Sequence, residues 1–157
     1  MLKEKYGFEL FADYHQFYLQ DEQADCDLSD SWTEQATEDL VAIAVGMIGI
    51  GTVRDMDVPV TIEIHNSEPE NDFDDWDHVI ECSVDIPSGK VVVAGCTDYF
   101  PEAARISVEP GVYRARVFYG ELDSLSENGC DGNDKYKVAL WLGETINPKV
   151  IKRHVKD

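Results

Sequence analysis

The stretch "VIECSVDIPSGKVVVAGC", Val79 to Cys96, decides how the rest of the chain is read. Ile80, Cys82, Val84 and Ile86 alternate with Glu81, Ser83 and Asp85, and a period of two gives an extended strand one dry and one wet face. "PSGK" is a turn signal and "VVVAG" a second apolar run, so residues 79–96 predict a β-hairpin with a loop at Ser88 to Lys90. In that register Cys82 lies opposite Cys96.

The same alternation recurs outward from this stretch, in Phe8 to Leu19, Ile48 to Val53, Val58 to Ile64, Arg105 to Glu109, Val112 to Tyr119 and Tyr136 to Leu142. Turn signals such as "EPG" and "DGND" separate the runs, the rhythm of an antiparallel sandwich or barrel. One helix interrupts them. "SWTE", Ser31 to Glu34, has the spacing of a capping box with Ser31 as N-cap, and Ala36 and Leu40 fall on one face behind it. Val41, Ile43 and Val45 then favour strand, so the helix is short. The prediction is a mainly β chain, an antiparallel β-sandwich of about eight strands with one short helix. It forms a single domain over 1–157, of which 144–157 is a basic C-terminal extension. The glycines of "GMIGIG", Gly46 to Gly51, have the wrong order for a dinucleotide-binding loop and read as close packing within a strand.

Charge excludes whole classes of partner. The 157 residues hold 32 acidic and 13 basic side chains, a formal charge of −19. Such a chain repels nucleic acid and anionic membranes and attracts cationic proteins. The opening "MLKEKYGFEL" lacks the apolar run of a signal peptide, and no apolar stretch approaches the ~18 residues of a membrane span. The expectation is a cytoplasmic protein. Cys26, Cys82, Cys96 and Cys130 contain no C-x-x-C pair and read as reduced thiols, with Cys82 facing inward.

Chemistry motifs are scarce. "NDFDDWDH", Asn71 to His78, offers four aspartates, but an EF-hand loop starting at Asp72 would put Trp76 where an oxygen ligand belongs and Ser83 where glutamate is needed. "DGND", Asp131 to Asp134, is a weaker match still. Neither metal nor cofactor is expected. No catalytic signature is present, and His15, His65 and His78 fall on or beside three different strands. An alternative remains open: a small-ligand-binding or hydrolytic sandwich that uses His15, His78 and an arginine strand.

The placement of charge is more specific. No lysine or arginine occurs between Lys5 and Arg54, or between Arg54 and Lys90, and both gaps are crowded with carboxylates. Such blocks commonly form solvated loops. The second, however, embeds two rings, so Asp72, Phe73, Asp74, Asp75, Trp76 and Asp77 form a candidate partner-binding surface, with rings as anchors and charges for steering. Positive charge is confined in turn: if "EPGV" closes a tight hairpin, Arg105 faces Arg116 and Ser107 faces Arg114. These arginines need neighbouring carboxylates or a bound anion.

"YHQF" at Tyr14 to Phe17, then "SWTEQATE" at Ser31 to Glu38, a Gly/Ile strand and "PGVYRARV" at Pro110 to Val117, resemble the competence protein J (ComJ) family of small β proteins. The resemblance rests most on Tyr14, His15, Gln16, Phe17, Trp32, Thr33 and Ala36. This chain departs from the family in its longer acidic loop at 66–78, its four cysteines and its basic extension. The family's named member is a small inhibitor that binds and restrains a nuclease. The resemblance therefore implies an acidic, immunity-type protein whose partner is a nuclease or another cationic protein such as a toxin, with Tyr14 to Phe17, Trp32 and Thr33 either ordering the fold or touching the partner.

Overall fold

Strands that bury alternate residues need a second apolar surface to close on, and two sheets supply it to each other. The computed structural model describes residues 2–24, 28, 31–70, 73–95, 98–128 and 131–154. Among them are eleven strands rather than about eight: β1 (Leu2–Phe11), β2 (Gln16–Asp21), β3 (Val41–Ala44), β4 (Met47–Gly51), β5 (Asp57–His65), β6 (His78–Ile86), β7 (Lys90–Gly95), β8 (Ala104–Ser107), β9 (Gly111–Gly120), β10 (Lys135–Leu142) and β11 (Lys149–Lys152). A six-residue helix, α1 (Glu34–Asp39), lies between β2 and β3. The larger sheet runs β1-β5-β10-β9-β6-β11 and the smaller β3-β4-β2-β7-β8. All pairings are antiparallel except β5 with β10. The core fills the space between them. Val60, Ile62, Ile80, Val117 and Val138 come from the larger sheet, Phe17, Leu19, Ile48, Ile50 and Val93 from the smaller. Each such burial is worth about 1.5–3 kcal/mol against exposure.

The expected hairpin at 79–96 is not a hairpin. β6 pairs with β9 and β11 in one sheet, while β7 pairs with β2 and β8 in the other. Pro87, Ser88 and Gly89 carry the chain across the sandwich, and the Asp21 carboxylate holds the crossing by accepting from both the amide and the hydroxyl of Ser88. Gly89 has φ 73°, and a Cβ there would sit 2.9 Å from the Val108 carbonyl. Cys82 therefore lies opposite Ala115. It is a buried free thiol whose pKa desolvation pushes up to about 12; Cys26, Cys96 and Cys130 lie outside the described residues.

"EPGV" is likewise a crossing, from β8 in the smaller sheet to β9 in the larger, so Arg105 does not face Arg116 and Ser107 does not face Arg114. Arg105 is registered with Val92, Arg114 with Ser83 and Trp141, and Arg116 with Glu81 and Ala139. The two crossings touch, Val108 donating its amide to the Gly89 carbonyl at 2.8 Å. Residues 8 to 19 also change sheet: β1 and β2 are separated by a short turn (Asp13–His15) in which Tyr14 and His15 both adopt φ 59°.

Two smaller differences follow from side chains. The N-cap of α1 is Thr33, not Ser31, and its Oγ1 accepts from the Ala36 amide at 3.1 Å. The expected wet face of β6 is largely dry. Glu81 and Ser83 are buried, Glu81 against Arg114 and Arg116, and Ser83 exchanging hydrogen bonds with the backbone of Ile146. The basic C-terminal stretch is what covers that edge. β11 adds a sixth strand, Lys152 donates to the Phe73 carbonyl, and Arg153 pairs with Asp39 at 2.6 Å.

Candidate functional site

The described parts of the acidic loop, 66–70 and 73–77, lie over the outer face of the larger sheet. Phe73 and Trp76 are half-buried against Val79, Phe118, Ala139 and Trp141, with Trp76 centred 5.3 Å from Phe118. Cations lie beneath the rings. Arg116 sits 5.5 Å from the Phe73 centroid and 5.0 Å from that of Trp141, while Lys135 and Lys137 stand 4.7 and 5.1 Å from Trp76. Arg116 also donates to the Pro69 carbonyl. Phe73 and Trp76 are thus not the exposed rings expected from the sequence. Their faces are occupied, and the loop is fastened by cation–π contacts and apolar packing. Asp74 and Asp75 point outward, Asp77 accepts from the Leu122 amide at 2.8 Å, and Asp72 lies outside the described residues.

The corner between β1 and β2 is arranged differently. Tyr14 is 70% exposed although its backbone is left-handed, a conformation that costs a non-glycine residue about 1–2 kcal/mol. The turn is held by its neighbours. The Tyr14 amide lies 3.1 Å from carboxylate oxygens of both Asp13 and Asp55, His15 donates to the Ala12 carbonyl, and Thr52 donates to that of His15. Phe11 and Met56, each 41% exposed, lie alongside, with the Ala12 amide bonded to the Met56 carbonyl.

Below Tyr14 opens a cleft of about 320 Å³, lined by Tyr14, His15, Gln16, Trp32, Thr37, Leu40, Gly51 and Thr52. Trp32 donates its indole N–H to Gln16 Oε1 at 2.9 Å, which ties the approach to α1 to β2. Glycine makes the room: a Cβ on Gly49 would lie 2.4 Å from Leu28 and 3.0 Å from Trp32, and one on Gly51 3.2 Å from Leu40. Gly49 and Gly51 of "GMIGIG" thus serve packing within β4, as the sequence predicts, whereas Gly46 lies in the turn between β3 and β4 with φ 71°. Of the resembling motif, Tyr14, His15, Gln16 and Trp32 line the cleft, Phe17 is core, and Thr33 caps the helix.

His15, His78 and the arginines do not converge. His78 is buried at the start of β6, its Nε2 2.8 Å from the Asp39 carbonyl and its Nδ1 accepting from the His154 amide. This pair of bonds specifies the neutral ring with the proton on Nε2, and burial lowers its pKa below 6.5. The arginines are satisfied separately: Arg105 with Glu22 at 2.6 Å, Arg114 and Arg116 with Glu81, both at 3.1 Å. No three His, Cys, Asp and Glu side chains among the described residues are grouped so as to hold a metal ion. No described helix is long and apolar enough to cross a membrane.

No protein-family model matches the chain, and no curated protein is significantly similar to it. Two solved structures are. ComJ from Bacillus subtilis, inhibitor of the DNA-degrading activity of NucA, superposes with a TM-score of 0.71 over 91% of this chain and 99% of its own, at 18% identity. Crocagin biosynthetic gene J does so with a TM-score of 0.60 over 90% and 98%, also at 18% identity. The chain has the ComJ-like fold. The two neighbours come from different biological settings, and fold alone does not carry a function between them.

Sequence reasoning missed the cleft. Its walls come from β2, β4, α1 and the segment before it, and the signal that could have located it is the pairing of Gln16 with Trp32 above glycines at 49 and 51.

Proposed function

We propose that this protein is an acidic protein-binding module, an inhibitor or immunity-type partner of a cationic protein, with a nuclease as the leading candidate. One observation carries the reading: all five arginines, Arg54, Arg105, Arg114, Arg116 and Arg153, are ion-paired with the chain's own carboxylates. The excess of 32 acids over 13 bases therefore faces outward as a negative field with few mobile cations to offset it. Such a field steers a cationic partner, raising association toward ~10⁸ M⁻¹s⁻¹ at low salt, and its carboxylates can occupy a cleft built for phosphates. The ComJ-like fold supports this reading, since ComJ is an inhibitor of a DNA-degrading activity.

In this reading Asp74 and Asp75, with Asp72 and Asp77, form part of the partner-facing surface. Phe73 and Trp76 hold the loop in place instead of entering the partner. The test is direct: cationic endonucleases are assayed for DNA degradation with and without a molar equivalent of the protein, at low and high salt. Stoichiometric inhibition with an association rate that falls as salt rises supports the reading. Retention of no cationic protein at low salt on the immobilised chain overturns it.

A further inference from the structure

A partner held only by a diffuse field exchanges quickly, so a stable inhibitor needs an anchor. The 66–77 loop does not offer one, because cations of the same chain already occupy its rings. The corner at Tyr14 does. Tyr14, Phe11 and Met56 are each exposed around the end of the β1/β5 ladder, and Tyr14 lines the cleft. No lysine or arginine is among the described residues that line the cleft. Asp13 and Asp55 stand at the Tyr14 end, and Glu34 and Glu38 lie on α1, which contributes Thr37 and is followed by Leu40. The nearest base in sequence, Arg54, is turned to the buried Asp134 at 2.9 Å.

The walls select the guest. Trp32 has committed its only donor to Gln16, so what it can present to the cleft is ring surface. Aromatic surface attracts a cation through its quadrupole, and the carboxylates of Asp13 and Asp55, which bond the Tyr14 amide beside the cleft, favour a cation in that neighbourhood. We infer that the cleft between the Tyr14–His15 turn and Trp32 receives a lysine or arginine side chain of the protein partner, with Tyr14 folding over its aliphatic stem. This rests on the reading of the chain as a binder of cationic proteins, and it assigns that binding a place.

The experiment is an amide and indole NMR titration of the full chain with a short arginine-containing peptide and with its citrulline counterpart, followed to millimolar concentration. Shifts at Tyr14, His15, Gly51 and the Trp32 indole with the arginine peptide but not the citrulline one are expected. In the Tyr14→Ala/Asp55→Asn variant, apparent affinity should fall about tenfold, the size of a partly desolvated cation–ring contact and one carboxylate together. The variant's unperturbed resonances report that it is folded, and Tyr14→Phe should retain binding. Shifts confined to Asp74, Asp75 and their neighbours, or spread evenly over the acidic surface, overturn the cleft assignment and leave the cationic-partner reading standing. Absence of shifts with either peptide overturns the cleft assignment, and the retention experiment above then decides the cationic-partner reading by itself.

Discussion

The loop at 66–77 and the corner at 13–15 look alike in the sequence, each setting aromatic residues among aspartates, yet the fold uses them in opposite ways. Beneath the loop, β9 and β10 supply Arg116, Lys135 and Lys137, and Phe73 and Trp76 close onto them. Beneath the corner, β2 and β4 supply a cleft, and Tyr14 stays in solvent on a strained backbone. What decides whether a ring among carboxylates is an internal fastener or an external contact is the charge of the strands below it. The loop aromatics should therefore matter for stability, and the corner aromatic for binding.

The strongest test of that contrast is Arg116→Ala. Arg116 is buried, pairs with Glu81 and lies between Phe73 and Trp141; its loss leaves Glu81 with Arg114 alone and should cost about 3 kcal/mol in urea denaturation. Trp76→Ala comes next, at about 2 kcal/mol, through lost packing on Phe118 and lost cation–π contact with two lysines. Full retention of stability in either variant would mean that the loop is not fastened as described.

Acid should act on the loop side as well. His78 follows the loop directly, and its folded pKa lies below the ordinary 6.5 because burial disfavours the charged ring. The stability this contributes is present in full above pH 6.5 and is lost as pH falls through 6.5 toward the depressed folded value. Protonation of Nδ1 removes the acceptor for the His154 amide, so hydrogen-exchange protection at His154 and along β11, relative to the intrinsic rate at each pH, should fall on mild acidification, with that of the 13–15 corner unchanged. His78→Gln should flatten that dependence.

The smallest expected effect is that of Tyr14→Gly. Relief of the left-handed tyrosine is offset by the greater backbone entropy of glycine, so stability should change by less than about 1 kcal/mol. A destabilisation as large as that of Trp76→Ala would erase the distinction between the two regions and make Tyr14 a structural residue.

Read alone, the sequence located most of the elements, but not β11 or the break at 13–15 between β1 and β2. Period-two alternation located the strands because a half-buried strand must alternate wherever its partner lies, and the failed EF-hand spacing and the excess of carboxylates are counts that need no fold. The helix was placed to within two residues of its cap, because Ser31 and Thr33 offer the same hydroxyl chemistry. Tertiary structure decided everything that depends on which surface meets which. Alternation specifies a face and not a neighbour, so 86 to 90 and 107 to 111 looked like hairpins although both cross between sheets. The carboxylate that holds the first crossing, Asp21, is 67 residues distant. The same limit hid the burial of Glu81 under two arginines and a returning tail, and it hid the cleft. The residues that make the cleft a place, Tyr14, Trp32, Leu40 and Gly51, belong to four separate segments whose approach no local pattern encodes.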